Sequence, residues 1–341
     1  MRMRNRIVWA GMAGLGLLAP VSSSNAEGIA EFYKDKRLTF IVGNAAGGDY
    51  DTWTRLISRY FPKHLPGSPT IIVQNMPGAG GIRATNHLFN VAAQDGSVLG
   101  VTSRNSSFKA LAREQGVLFD PTKFNWIGSP EVTNRVCVVA SNAPVRTVEE
   151  LMEKELIMAG AGAGTALSTI PPMLNRFLGT KMKLVEGYKS SNDAKLAIDR
   201  GEVHGLCQSL TALQRAYGAD LQNGKLRILF SMESKPIPGI DAPSIVQYTK
   251  NDQQRQVLAL FSMGTELGRP MMAPPNVPAD RVAALRAAYA ATLQDADLKA
   301  EADKQGMVVT PTSGEQIQKM IAQLMSTPQE IRDLAGNIAG D

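Results

Sequence analysis

Two periodicities take turns along the chain. Short apolar runs read as buried strands: Leu38–Val42, Ile71–Val73, Val98–Thr102, Phe124–Gly128, Arg135–Ala140, Leu156–Ala159, Met182–Val185, Val203–Cys207 and Lys225–Ser231. Between and after them, apolar residues recur at helical spacing: Trp53, Leu56, Ile57 and Tyr60; Ile82, Leu88 and Phe89; Val282, Leu285, Tyr289 and Leu293; Ile317, Ile321 and Leu324. Thr147-Val148-Glu149-Glu150 fits a capping box, Pro278 suits a first helical position, and Pro171-Pro172 predicts a disturbed helix before Gly179. Alternating strands and helices imply an α/β protein with parallel sheets, and such sheets bind ligands at the C-terminal ends of their strands.

Those strand ends carry small residues. The first strand runs into a loop with Gly47 and Gly48, and Asp51 is placed to cap the following helix. A glycine loop that opens a helix exposes backbone N–H groups beside a positive helix end, which suits an anion. The same residues would also serve a plain α/β turn. Strand 71–73 leads to Asn75-Met76-Pro77-Gly78-Ala79-Gly80-Gly81, and strand 98–102 to Ser103-Arg104-Asn105-Ser106-Ser107. A second set follows, with Gly160–Thr165 after one strand and Gly187–Ser191 after another.

The first residues change the compartment. MRMRNR, an apolar run from Ile7 to Pro20 and Ser24-Asn25-Ala26 describe a secretory signal peptide cleaved near Ala26. Loss of Arg2, Arg4 and Arg6 takes the formal charge from +5 to +2, and no basic run with interleaved aromatics supports a nucleic-acid partner. The remaining 27–341 suits two domains, and 44% apolar content is ample for their cores. Cys137 and Cys207 lie on predicted strands and would enter an oxidising compartment, where a disulfide is expected; two buried thiols are the alternative.

Catalytic and cofactor patterns are weak. Gly160-Ala161-Gly162 follows a strand, and Glu186 stands where a ribose-binding acid would, but Thr165 replaces the third glycine of a dinucleotide fingerprint. GxxxxGK[ST] and GxSxG are missing, and His64, His87 and His204 are scattered and read as structural. No catalytic residue, metal ligand or cofactor is assigned. A cleft-binding receptor needs amide-rich loops in two units, and the chain offers them. A secreted α/β hydrolase of a small ester or amide, a solitary ligand sensor and a partner-binding module stay open as alternatives.

The series VGNAAGGDYDTWTRLIS, VQNMPGAGG, DGSVLGV, FDPTKFNWIGS and APPNVPADRVAALRAAYAATLQDADLKAE resembles the Bug-type receptors of tripartite tricarboxylate transporters, in order from about Leu38 to Met325. The resemblance implies a two-domain periplasmic-binding-protein fold, type II-like, with two crossing strands and the ligand cleft between the domains. It implies a periplasmic receptor, not an enzyme, which captures a small organic anion for membrane transporter subunits; a monomer is expected. The domains are expected at 27–129, 130–228 and 229–341, the last returning to the first. Carried over by position, the ligand residues are Asn44, Gly47, Gly48, Asp49, Tyr50, Ser103, Asn105 and Ser106 in the first domain. In the second they are Gly162, Ala163, Gly164, Thr165, Ser168, Tyr188, Lys189, Ser190 and Gln208. The glycines of the NMPGAGG loop are assigned to the turn and to helix packing. Two departures bear on ligand choice: His204 stands where relatives carry an acid, and Asp49 adds negative charge beside an expected anion site.

Overall fold

The computed structural model describes residues 23–162, 165–188 and 191–339. Its strands are β1 (Arg37–Val42), β2 (Thr70–Asn75), β3 (Val98–Val101), β4 (Asn125–Ser129), β5 (Arg135–Ala140), β6 (Leu156–Ala159), β7 (Met182–Val185), β8 (Gly205–Ser209), β9 (Leu226–Ser231), β10 (Met271–Ala273) and β11 (Thr312–Ser313). They form a six-stranded sheet, β11-β4-β10-β3-β1-β2, and a five-stranded sheet, β7-β6-β8-β5-β9.

The two sheets share one plan. In the first, β2, β1 and β3 are parallel and β10 is antiparallel between β3 and β4. In the second, β7, β6 and β8 are parallel and β5 is antiparallel between β8 and β9. The strand set antiparallel inside each sheet, β5 in the second and β10 in the first, is the one by which the chain enters that sheet from the other, β5 after β4 and β10 after β9. Lys225–Ser231, expected as a strand, is the edge strand β9 (Leu226–Ser231) of the second sheet, and the chain returns to the first sheet only at β10.

Helices cover both faces of the first sheet. Phe40, Trp53, Leu56, Phe61, Leu285 and Tyr289 belong to one buried cluster; Ile41, Leu88, Trp126, Met272 and Ile321 belong to another. Adjacent β1 residues thus enter different clusters, as strand geometry requires, and β1 reads as a continuous apolar run because helices bury both its faces. The second sheet has two such clusters of its own. Cys137 and Cys207 are direct partners across β5 and β8, both fully buried, and are joined by a disulfide.

Local expectations met three physical corrections. The helix Asp49–His64 is capped by Gly48, not by Asp51, which lies inside the first turn. Pro171 and Pro172 do not break their helix, which is continuous over Ala166–Leu178. Two backbone hydrogen bonds are forgone there, while Ile170, Pro171, Met173 and Leu174 are all buried. The helix Val148–Glu153 has its Thr147 cap, but Glu150 takes its main backbone hydrogen bond from the Arg146 N–H, with the Thr147 N–H only a lesser donor. Residues 1–22, with most of the expected signal segment, lie outside the described residues. A helix spans Ser23–Tyr33, and a cut after Ala26 leaves its core anchors Ile29 and Tyr33 in the mature chain.

Candidate functional site

Parallel pairing brings Val42, Asn75 and Val101 to one edge of the first sheet. The loop beyond β1 folds around Asp51, whose side chain is almost fully buried. Its Oδ2 accepts the Gly47 N–H at 2.8 Å and the Arg55 Nε at 2.9 Å, and its Oδ1 accepts the Asn75 amide at 2.9 Å. Burial alone would raise this carboxyl; hydrogen bonds from Arg55, Gly47 and Asn75 outweigh it and hold the group below its ordinary range. The Asn75 amide also donates to the Asn44 carbonyl at 3.1 Å. Gly47 sits at φ +80°, a conformation that favours glycine. Its N–H, expected on the ligand, is therefore engaged by the protein's own carboxylate.

Asp49 also finds a partner. Arg269 donates to it at 2.8 Å, pairs with Glu131 and lies over the Tyr50 ring at 5.6 Å. The negative charge at Asp49 is thus met by a cation. Trp53 donates its Nε1–H to the same Glu131 at 3.0 Å. The Tyr50 hydroxyl accepts the Arg104 N–H at 3.2 Å, and Ser103 Oγ accepts the Asn105 N–H at 3.3 Å. Asn105 is exposed at the start of the helix Asn105–Leu111, whereas Ser106 is buried beside Thr85, with their hydroxyls 3.4 Å apart.

The second unit repeats the device. Glu186, at the end of β7, accepts the Gly162 N–H and the Ser168 hydroxyl, each at 3.0 Å. Ser168 Oγ accepts the Ala161 N–H at 3.0 Å, and Thr165 caps the helix Ala166–Leu178. A Cβ on Gly160 would stand 2.5 Å from the Glu186 carboxylate, so glycine is what lets that carboxylate reach the loop. The Tyr188 N–H donates to the Gly160 carbonyl at 3.2 Å, and Gln208 lies one residue before the end of β8. Ala163, Gly164, Lys189 and Ser190 lie outside the described residues. His204 precedes β8, and its Nδ1 accepts the Ile157 N–H at 3.0 Å; burial lowers its pKa, which suits a neutral structural ring.

The sequence reading missed a polar seam between the units. The Arg104 guanidinium donates to Thr133 at 3.3 Å, and Thr133 bonds to Glu131 at 3.2 Å. Glu233, just past β9, accepts the Arg135 N–H at 2.8 Å and the Thr265 hydroxyl at 2.6 Å. These residues follow no motif spacing; their only signal was position, at strand ends and in the crossing segments.

Burial pushes the Glu233 carboxyl from 4.5 up to about 7, with its hydrogen bonds and Arg135 opposing only in part. A raised folded-state pKa means the native protein holds a proton that the unfolded chain has lost between those values. Stability from this group therefore falls as pH rises through that window. Glu233→Gln, which mimics the protonated carboxyl, is expected to remove about 3 kcal/mol of pH-dependent loss. Urea unfolding of both proteins at about pH 5 and about pH 8 measures it; equal pH dependence in both would refute the assignment.

Among the described residues no group of three or more His, Cys, Asp or Glu is arranged to hold a metal, and no helix is long and apolar enough to cross a membrane. A groove of about 940 Å³ along the helix Ala279–Gln294 and Pro311–Gln316 includes none of the loop residues above.

Comparison with known proteins follows the same lines. A curated relative, the UPF0065 protein in gbd 5'region of Cupriavidus necator, is 24% identical over 242 residues, which cover 69% of this chain and 71% of the relative. The structure of a TctC solute binding protein from Polaromonas aligns with a TM-score of 0.68 at 20% identity, over 89% of this chain and 99% of that one. MatC from Rhodopseudomonas palustris with bound malate aligns with a TM-score of 0.52 at 22% identity, over 88% and 99%. The fold is that of periplasmic binding proteins. The model of the tripartite tricarboxylate transporter family receptor matches residues 55–334. With that match spanning most of its length, the chain belongs to the tripartite tricarboxylate transporter receptor family.

Proposed function

We propose that this protein is a periplasmic receptor, not an enzyme, that closes two domains over a small organic carboxylate and presents it to membrane transporter subunits. The observation that carries this reading is the pairing of two sheets of one plan, each with small-residue loops at the C-terminal ends of its parallel strands. Side chains already join the two: Arg104, beyond β3, reaches Thr133 in the segment that leads to β5. The bound malate of MatC supports the ligand class.

In this reading the mature chain begins near Glu27 and acts as a monomer, with one domain built on the first sheet and the other on the second, which keeps the whole of β9. The ligand meets Asn44, Gly48, the backbone at Asp49 and Tyr50, and Ser103, Asn105 and Ser106 on one side. On the other it meets Thr165, Ser168, Tyr188 and Gln208, completed by Ala163, Gly164, Lys189 and Ser190. Gly47 and Gly162 shape their loops, because their N–H groups are held by Asp51 and Glu186.

A thermal-shift screen of mono-, di- and tricarboxylates tests the reading, followed by Gly48→Val. Gly48 has φ −80° and ψ 168°, and a Cβ there meets only the Ala45 carbonyl, at 3.5 Å. Valine is therefore compatible with the fold and fills the space in front of the helix N-terminus. The best hit is expected to bind the variant about tenfold or more weakly, a loss near 1.4 kcal/mol. Equal affinity would remove this loop from the site, and turnover of an ester or amide would replace the receptor by an enzyme.

A further inference from the structure

With Gly47 and Gly162 committed to internal carboxylates, the cleft holds more cationic capacity than its loops alone suggest. Arg104 lies beyond the C-terminal end of β3, the ligand edge of the first sheet. Arg135 begins β5 opposite Ser209, the last residue of β8, and so lies at the ligand edge of the second. Thr133, which receives the Arg104 guanidinium, is two residues from Arg135 in the segment entering β5. In extended chain such residues share a face, so the two arginines meet from opposite units.

The surrounding anions are otherwise engaged. Glu131 is paired with Arg269 and accepts from Trp53 and Thr133. Asp49 is bound to Arg269. Glu233 gives its two oxygens to the Arg135 N–H and the Thr265 hydroxyl. Among the described residues, the Arg135 guanidinium has no hydrogen-bond or ion-pair partner. Burial and repulsion from Arg104 outweigh the attraction of the Glu233 carboxylate and lower its pKa to about 10. Two guanidinium groups drawn together and partly desolvated are costly unless an anion lies between them.

We propose that Arg104 and Arg135, one from each unit, form a clamp for an anionic group of the ligand, so that the ligand's charge draws the two units together. This rests on the receptor reading and adds to it a preference for ligands with an oxyanion group at the seam. Fixed planar forks suit a carboxylate or a sulfate bidentately.

The test uses the full mature chain with malate, succinate and inorganic sulfate as probes, each against sodium chloride of equal ionic strength. Melting temperature and intrinsic tryptophan fluorescence are read for the wild type, Arg104→Met, Arg135→Met and Arg135→Lys. The unliganded melting temperatures control for folding. Dianions are expected to raise the wild-type melting temperature beyond chloride. Each methionine variant is expected to weaken the apparent affinity about tenfold or more, with partial recovery in Arg135→Lys. Organic acids that bind the wild type and both methionine variants equally would leave the receptor reading standing and overturn the clamp. Sulfate binding that depends on both arginines, without any organic acid binding, would keep the clamp and overturn the receptor reading. If no oxyanion exceeds chloride on the wild type, the clamp is wrong.

Discussion

Replacing Cys137 and Cys207 together by alanine is expected to lower the unfolding free energy by about 4 kcal/mol, a large share of what a domain of this size possesses. The bond closes a loop with a sequence separation of 70 residues, and a cross-link over that length removes much conformational freedom from the unfolded chain. The loop contains β6 and β7 and ends on β8, so most of the second sheet forms within it. In the native state the bond replaces nothing that the ladder lacks, because the two residues already face each other as β partners. Urea unfolding of the oxidised protein and the double variant measures the difference. A loss below about 1 kcal/mol would mean that the cross-link does not govern the unfolded state. Thiol titration of denatured, unreduced protein is expected to find no free thiol, and two would show that the bond does not form in the cell.

The pairing of those cysteines marks how far sequence could go. Both were legible as strand residues, since β-branched and apolar neighbours announce buried strands. That they are register partners depends on β5 lying antiparallel beside β8, a long-range fact that no local pattern contains. That β1, β2 and β3 run parallel was legible for the same local reason, through strands alternating with helices, but their order in the sheet was not. The edge role of β9 was not, because an apolar run reads alike whichever sheet receives it.

At the loops, small residues in the right places pointed to an anion site, and the glycine signal was real. Its immediate cause lay elsewhere. Asp51 and Glu186 each supply a carboxylate from within the chain, so part of the glycine chemistry builds the loop rather than meeting a ligand. Composition cannot tell an internal carboxylate from an external one, since both require the same donors. Isolated cations are common on surfaces, so the arginines carried no sequence signal; only burial and a guanidinium without a hydrogen-bond or ion-pair partner among the described residues set Arg135 apart.

The crossing segments between the sheets supply the second large expected effect. Gly268 has φ +57°, and a Cβ on it would stand 1.8 Å from the Glu131 carbonyl oxygen and 2.6 Å from Ser129 Oγ. The nearer atom is backbone and cannot rotate away. Accommodating alanine must therefore shift Ser129–Glu131, which carries the chain from β4 toward β5 and whose Glu131 binds Arg269, Trp53 and Thr133. Gly268→Ala is expected to cost at least about 3 kcal/mol, the sum of left-handed strain and overpacking against fixed backbone. Gly116→Ala separates the two contributions. Gly116 has φ +88° with nothing within 4 Å of its missing Cβ, so alanine there should cost only the conformational part, about 1–2 kcal/mol. Urea unfolding of the two variants side by side reads the difference. Because Glu131 anchors Arg269 above Tyr50, Gly268→Ala should also weaken binding of the carboxylate ligand proposed above, whereas Gly116→Ala should leave it unchanged. If both variants lose the same stability, the close approach of Gly268 to Glu131 does not constrain the crossing, and the seam between the units is looser than these distances require.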